Sequence, residues 1–297
     1  MAGARSEHCG NMSYGTMFSY RHGFHAGNHA DVLKHVVLVQ MLAYLTGKHK
    51  PLWFVDSHAG AGSYSLSSDF ARKKAEFRDG IGRLWKANGL PAALSEYLVQ
   101  VRAANLDGTL HFYPGSPQIA LQMLRPTDRL QLFELHPTEC RVLRDRYRAA
   151  GRRVTVQAAD GFAGLKAVLP PPTRRGLVLI DPSYEDKADY RKVIAAMRDA
   201  LQRFATGTYA VWYPQVQRKE SAQLPGQLRQ LAQGDWLHLW LRVMKPAEDG
   251  LGLHGSGVFV FNPPWKLEER LRAAMPALVR LLGQDGQAAY GLQHRQR

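Results

Sequence analysis

The sequence predicts an α/β fold, a doubly wound sheet of about seven strands, and three observations carry that prediction. Short apolar runs alternate with helix-like segments along most of the chain. The first run, LWFVD at 52–56, leads into a glycine-rich turn, SHAGAG at 57–62, as strands do at the start of nucleotide-binding α/β units. Successive runs end on an acid: Asp56, Glu134, Asp160 and Asp181. In such a sheet those positions lie at the carboxyl edge, where open α/β folds place their ligands.

The elements follow in order. Residues 1–16 are small and polar without periodicity and read as a loose extension, with Met17 the more natural start. From Asn28, a helix cap, apolar residues Ala30, Leu33, Val36, Val37, Leu38, Met41 and Leu42 recur at helical spacing as far as Gly47. After the strand at 52–56, residues 63–113 break the rhythm. They read as helices (DGIGRLWKANG, AALSEYLVQVRAA) carrying Arg72, Lys73, Lys74, Arg78, Arg83 and Lys86, a helical subdomain of about 63–113 inserted in one domain over 17–297. Alternation resumes after YPGSP: a helix at 117–124, strand RLQLFEL, a helix at 137–150, strand VTVQAAD, a helix near 161–168 and strand GLVLID. The remainder supplies helices at 188–203 and 218–233 and strands TYAVWYP, WLHLWLRV and GSGVFVFNPP.

Bulk composition narrows the class. With 297 residues, 45% of them hydrophobic, the chain has enough apolar material for a core and is no disordered tail. Lys and Arg number 39 against 25 acids, a net charge of +14 that points to a polyanionic partner. Two cysteines, Cys9 and Cys140, make neither a disulfide framework nor a zinc set. No signal-like apolar region and no membrane-length run are visible, so a soluble cytoplasmic protein is expected.

The strand-end residues suggest a chemistry. Gly60 and Gly62 let the backbone turn sharply against a ligand, but no G-x-G-x-x-G or G-K-S/T pattern follows, which disfavours a pyrophosphate-bearing cofactor. Glu134 is placed to accept the hydroxyls of a ribose and Asp160 an amino hydrogen of adenine. With Asp56 they form the pattern of an S-adenosylmethionine site in a class I methyltransferase. The fourth run ends DPSY, 181–184. An exocyclic amine is a poor nucleophile because its lone pair is delocalised into its ring. The Asp181 carboxylate and the Pro182 carbonyl can accept its hydrogens, and Tyr184 can offer a flat face to an extruded base.

A second motif, NPPW at 262–265, fits the usual D/N/S-P-P-Y/F/W pattern better letter by letter. Order favours DPSY, whose strand comes directly after the one bearing Asp160; NPPW reads as a turn, with Trp265 packed beneath the last helix. The histidines of SYRHGFHAGNHADVLKH, 19–35, do not form a metal set: His29 and His35, six apart on a helix, share no face. They suit the mouth of a cofactor cleft instead.

SYRHGFHAGNHADVLKH, DSHAGAGSY, YPGSP, FELHP, ADGF, RRGLVLIDPSYE, RFATGTYAVWYP and NPPWKLE together resemble the bacterial 23S rRNA (adenine(2030)-N6)-methyltransferase family from residue 17 to about 270. The resemblance implies that His35, His58, Ser116, Glu134, Asp160 and Gly161 contact S-adenosylmethionine and that Asp181 is the catalytic acid-base residue. It places Tyr20 near the cleft and assigns RNA contacts to the helical insertion, where Lys73 and Lys74 are candidates. Members usually read DPPY, so Ser183 is a departure. The implied partner is 23S rRNA, free or partly assembled, acted on by a monomer. The alternatives are an adenine-N6 DNA or protein-glutamine N5 methyltransferase, which share the amine chemistry, and a non-catalytic RNA-binding module.

Overall fold

The computed structural model describes residues 22–68, 71, 73 and 75–296. Residues 1–16, Tyr20, Arg72 and Lys74, singled out above, lie outside them. The first helix, α1, runs His29–Thr46, and Asn28 caps it by accepting from the amides of Ala30 and Asp31 at 3.0 Å. Every residue from His29 to Leu42 is buried. Its apolar content is spread around the helix, not confined to a stripe, as befits a helix clasped on all sides.

Five strands lie parallel: β1 (Trp53–Asp56), β4 (Arg129–Phe133), β5 (Val154–Gln157), β6 (Gly176–Ile180) and β7 (Thr208–Gln215). They are joined by β8 (Trp236–Arg242), β9 (Gly255–Phe261) and β10 (Ala289–Arg295). The sheet order is β10-β8-β9-β7-β6-β1-β4-β5. This is the expected class I methyltransferase arrangement. The chain leaves β1 towards β4 and β5, then returns to β6 on its other side, so the topological switch falls between β1 and β6. Central strands are buried on both faces: Leu177 and Leu179 enter one core, Val178 and Ile180 the other.

Helices cover both faces. α1, α3 (Ala92–Ala103), α4 (Ser116–Met123), α5 (Pro137–Tyr147) and α9 (Leu267–Leu282) contribute to one core. α6 (Gly161–Val168), α7 (Ala188–Arg203) and α8 (Lys219–Leu231) contribute to the other. A short α2, Ile81–Trp85, precedes α3.

Two expectations need correcting. The sheet has eight strands among the described residues, because AYGLQHR pairs antiparallel with β8 from Ala289 opposite Arg242 to Arg295 opposite Trp236. None of its residues is fully buried and it ends in the polar run Gln293-His294-Arg295, so pairing with a neighbour makes it a strand and no apolar run announces it. The segment 63–113 is not wholly helical either: β2 (Ser63–Ser65) and β3 (Phe112–Pro114) pair antiparallel and close its base. The apolar face of α3 (Leu94, Tyr97, Leu98, Val101) packs into the same core as α1.

Candidate active site

A cavity of about 620 Å³ opens at the carboxyl edge of the sheet, at the β1/β6 switch point. One wall is the turn after β1. Gly60 sits at φ +60°, and a Cβ there would stand 2.2 Å from the Tyr64 hydroxyl, so the turn has room for hydrogen only. The Gly60 amide donates to Glu134 Oε2 at 2.7 Å, and the His136 amide donates to Oε1 at 2.7 Å. Burial pushes the Glu134 carboxyl above its ordinary value despite these donors. Each of its oxygens keeps a lone pair for a ligand hydroxyl.

Asp56 departs from its expected role. It is 0% exposed and does not line the cavity. One oxygen accepts from Ser116 Oγ at 2.6 Å and the other from the His58 amide at 3.2 Å, so it ties the turn to the start of α4. Burial raises its pKa to about 6. Beside it, His58 is bonded through Nδ1 to Ser57 Oγ at 2.7 Å and stands edge-on to Phe162; burial lowers its pKa to about 4, leaving it neutral near pH 7.

The opposite wall begins one residue beyond β6. Asp181 Oδ2 receives the Lys34 ammonium at 2.5 Å, and the same Nζ lies 2.9 Å from Asp31 Oδ1. Lys34 and Asp31 are 5% and 1% exposed at their side chains, Asp181 14%. Burial alone would lower the Lys34 pKa, but the two carboxylates outweigh it and hold the ammonium charged. Asp31 also accepts the Gly27 amide at 2.9 Å. A buried ion group of this kind is stable only while every member keeps its partners.

The cavity brings together most of the residues the sequence marked. His35 and Ser116 line it from the helix side, His58, Gly60 and Glu134 from the β1 and β4 edges, and Asp181, Pro182 and Tyr184 from β6. His35 Nδ1 is bonded to the Tyr113 hydroxyl at 2.8 Å, itself 3.0 Å from the Tyr97 hydroxyl. Asp160 and Gly161 are not in the wall. Asp160 is exposed and accepts the Phe162 amide at 2.8 Å as the cap of α6. Gly161 packs where a Cβ would meet the Ser57 carbonyl at 1.8 Å, so it seats α6 against the turn. Lys73 is exposed and away from the wall.

Tyr184 is also not the free face expected of it. It is 2% exposed, its φ is +55°, its hydroxyl donates to the Trp212 carbonyl at 2.7 Å and its ring centroid lies 4.6 Å from that of Tyr190. The half-buried indole of Trp212, with Lys34 Nζ 5.7 Å from its centroid, lines the cavity beside it.

NPPW lies at the other end of the sheet. β9 runs antiparallel to β7, so its last residue, Phe261, pairs with Tyr209 at the start of β7. Asn262 Nδ2 donates to the carbonyls of Ala205 and Gly207, both at 2.7 Å, and its backbone is left-handed at φ +50°. The turn is thus a lock between loops. Trp265, expected to pack beneath the last helix, is instead 61% exposed.

Sequence reasoning passed over Asp31, Lys34, Trp212, Arg218 and the loop 250–253, all of which line the cavity. For Asp31 and Lys34 a signal existed: two charges three apart inside an otherwise apolar helix need partners. Among the described residues no group of three or more His, Cys, Asp or Glu is placed to hold a metal ion, and no helix is long and apolar enough to cross a membrane.

Comparison with known proteins decides the family. Residues 49–293 match the family described as "Ribosomal RNA large subunit methyltransferase D, RlmJ". The chain belongs to that family. Among curated relatives of this RlmJ-family chain, the "Ribosomal RNA large subunit methyltransferase J" of Escherichia coli (strain K12) is 47% identical over 88% of this chain and 93% of its own. The protein of the same name from Haemophilus influenzae is 44% identical over 92% and 97%. In three dimensions the RlmJ-family fold superposes on the crystal structure of protein LPL1258 from Legionella pneumophila with a TM-score of 0.83 at 37% identity, covering 91% of this chain and 98% of that one.

Proposed function

We propose that this RlmJ-family methyltransferase transfers a methyl group from S-adenosylmethionine to N6 of one adenosine in 23S rRNA, adenine-2030 by the family resemblance. The observation that carries the reading is the recessed Asp181 carboxylate, one residue beyond β6 and facing the same cavity as Glu134 and the Gly60 turn. The residues fit the cofactor: a turn with no room for a side chain, a half-buried carboxylate with spare lone pairs, and a neutral imidazole at His58. His35, Ser116, Gly60 and Glu134 would hold it, with Asp160 and Gly161 shaping the β5 side and Asp56 bracing the turn. When bound, the cofactor supplies an electrophilic methyl group on a sulfonium.

The other wall serves the nucleophile. The Asp181 carboxylate and the Pro182 carbonyl accept hydrogen bonds from the adenine amino group, favouring the tetrahedral nitrogen that attacks. The Lys34 ammonium, already paired with Asp181, holds that carboxylate in its orientation towards the cavity. The adenine ring rests against Trp212 and the edge of Tyr184. Ser183 in place of a second proline removes rigidity but none of these acceptors. A base must leave its helix to reach this depth, which favours free or partly assembled 23S rRNA as substrate, and a monomer in the cytoplasm as the acting form. Tyr20, Lys73 and Lys74 remain candidates for RNA contact.

The test is mass spectrometry of nuclease fragments from unmodified 23S rRNA incubated with the protein and S-adenosylmethionine, with Asp181→Ala alongside. One N6-methyladenosine at one site, lost in the variant while cofactor affinity is retained, is the expected outcome. An Asp181→Ala protein of full activity would overturn the assignment.

A further inference from the structure

Leu251 stands at the lip of the cavity and is 72% exposed. Leu106 is more exposed, at 92%, but takes no part in the cavity wall. A lone exposed leucine needs no explanation by itself, but one held at the mouth of a cavity by a supported loop is placed to meet whatever enters.

The loop carrying it, between β8 and β9, is anchored at its base and presents only its tip. The Val243 amide donates to the His254 carbonyl at 2.9 Å, and the His254 amide to the Gln215 carbonyl at 3.2 Å. The imidazole of His29, at the start of α1, is buried beside the Leu253 backbone. At the tip, Asp249 Oδ1 accepts the Leu251 amide at 2.9 Å, and Gly250 and Gly252 flank the leucine at φ +76° and +89°. A Cβ at either glycine would meet nothing within 4 Å, so backbone conformation and not crowding calls for glycine there. This backbone turns Leu251 outward. Arg218, its guanidinium bonded to the carbonyls of Tyr184 and Glu185, adds positive charge to the same cavity wall.

Resting on the function proposed above, we infer that Leu251 is the wedge that holds the target adenosine out of its helix. The Asp181 side chain is 14% exposed, too deep for an amino group still in a base stack. Extrusion leaves a gap between the neighbouring bases, and an apolar side chain that enters the gap offsets the lost stacking. Leu251 supplies that side chain on a supported loop, next to the space the extruded base enters. It acts as a positioning residue and takes no part in the chemistry.

The test uses the full-length protein on two RNAs of the same sequence: a hairpin in which the target adenosine is base-paired, and a short single strand. Leu251→Ala is expected to lower kcat/KM on the hairpin by roughly tenfold or more, the scale of one leucine's burial. On the single strand the change is expected to stay below about twofold, because no stack must be opened. Cofactor affinity, read by calorimetry, stays at the wild-type value, and Leu251→Met restores hairpin activity. Equal losses on both RNAs, or no loss on the hairpin, would overturn the inference, as would a wild-type protein that methylates only the single strand. A wild-type protein that methylates neither RNA overturns the proposed function itself, a separate and recognisable failure.

Discussion

Asp56 pairs with Leu179, so Asp56 and Asp181 lie two residues apart in sheet register, yet they have opposite surroundings. Asp56 is sealed among Ser116 and the His58 amide, whereas Asp181 faces the cavity and is paired with a lysine. Strand-end position alone does not distinguish a carboxylate that braces a turn from one that faces the cavity; the nearest donors do. The buried histidines carry a consequence for stability. His29, His58 and His238 all have their pKa lowered by burial to about 4, so between pH 6.5 and 4 the unfolded chain binds protons that the folded one refuses. Stability therefore falls as pH drops through that window. Asp56, raised to about 6, works in the other direction: the folded state takes up its proton below pH 6, ahead of the unfolded chain. Three histidines outweigh one aspartate, and the thermal midpoint is expected to decline from pH 7 to pH 5. In His238→Phe, remote from the cavity, the decline is expected to be shallower. A midpoint that does not change over this range would show the imidazoles to be solvated.

At the scale of elements, the two proline motifs separate by what their strands do. DPSY follows a central parallel strand and reaches the cavity; NPPW follows an antiparallel one and reaches the opposite edge. Asn262→Ala removes two hydrogen bonds and places alanine at a left-handed backbone position, a destabilisation of about 2–3 kcal/mol. Denaturant unfolding is expected to record that loss while the methylation rate per folded molecule stays at the wild-type value. A rate that collapses with intact stability would shift the chemistry to NPPW. The same contrast explains what the sequence made legible. Parallel strands buried on both faces announce themselves as apolar runs, and helix α7 is found at its expected bounds, Ala188–Arg203. Strand β10 does not, because it carries no buried apolar run and only β8 makes it a strand. In the site, motif residues at strand ends were visible and the charges of Asp31 and Lys34 inside an apolar helix were a signal, whereas Trp212 and the 250–253 loop come to the cavity through packing across the sheet, which no local pattern encodes.

For the whole molecule, the open question is where a chain of net charge +14 places RNA. Helix α5 starts at the cavity, since His136 and Glu139 line it, and its exposed surface and the turn beyond carry Arg141, Arg144, Arg146, Arg148 and Arg152. Arg148 is paired with Asp145 at 2.5 Å, and Arg144 and Arg152 are exposed. On the function proposed above, a phosphate chain leaving the cavity can follow this row outward, and Lys73 on the 63–113 segment offers a second track. The tracks differ measurably. Each phosphate contact that releases a counterion contributes roughly 0.7–0.9 to the slope of log affinity against log salt. Arg144→Ala with Arg152→Ala is expected to flatten that slope by about two contacts' worth in RNA binding across a potassium chloride series. Cofactor affinity should not change, since neither arginine lines the cavity. An unchanged slope in this pair, with a flattened one in Lys73→Ala, would move the RNA from the α5 face to the 63–113 segment.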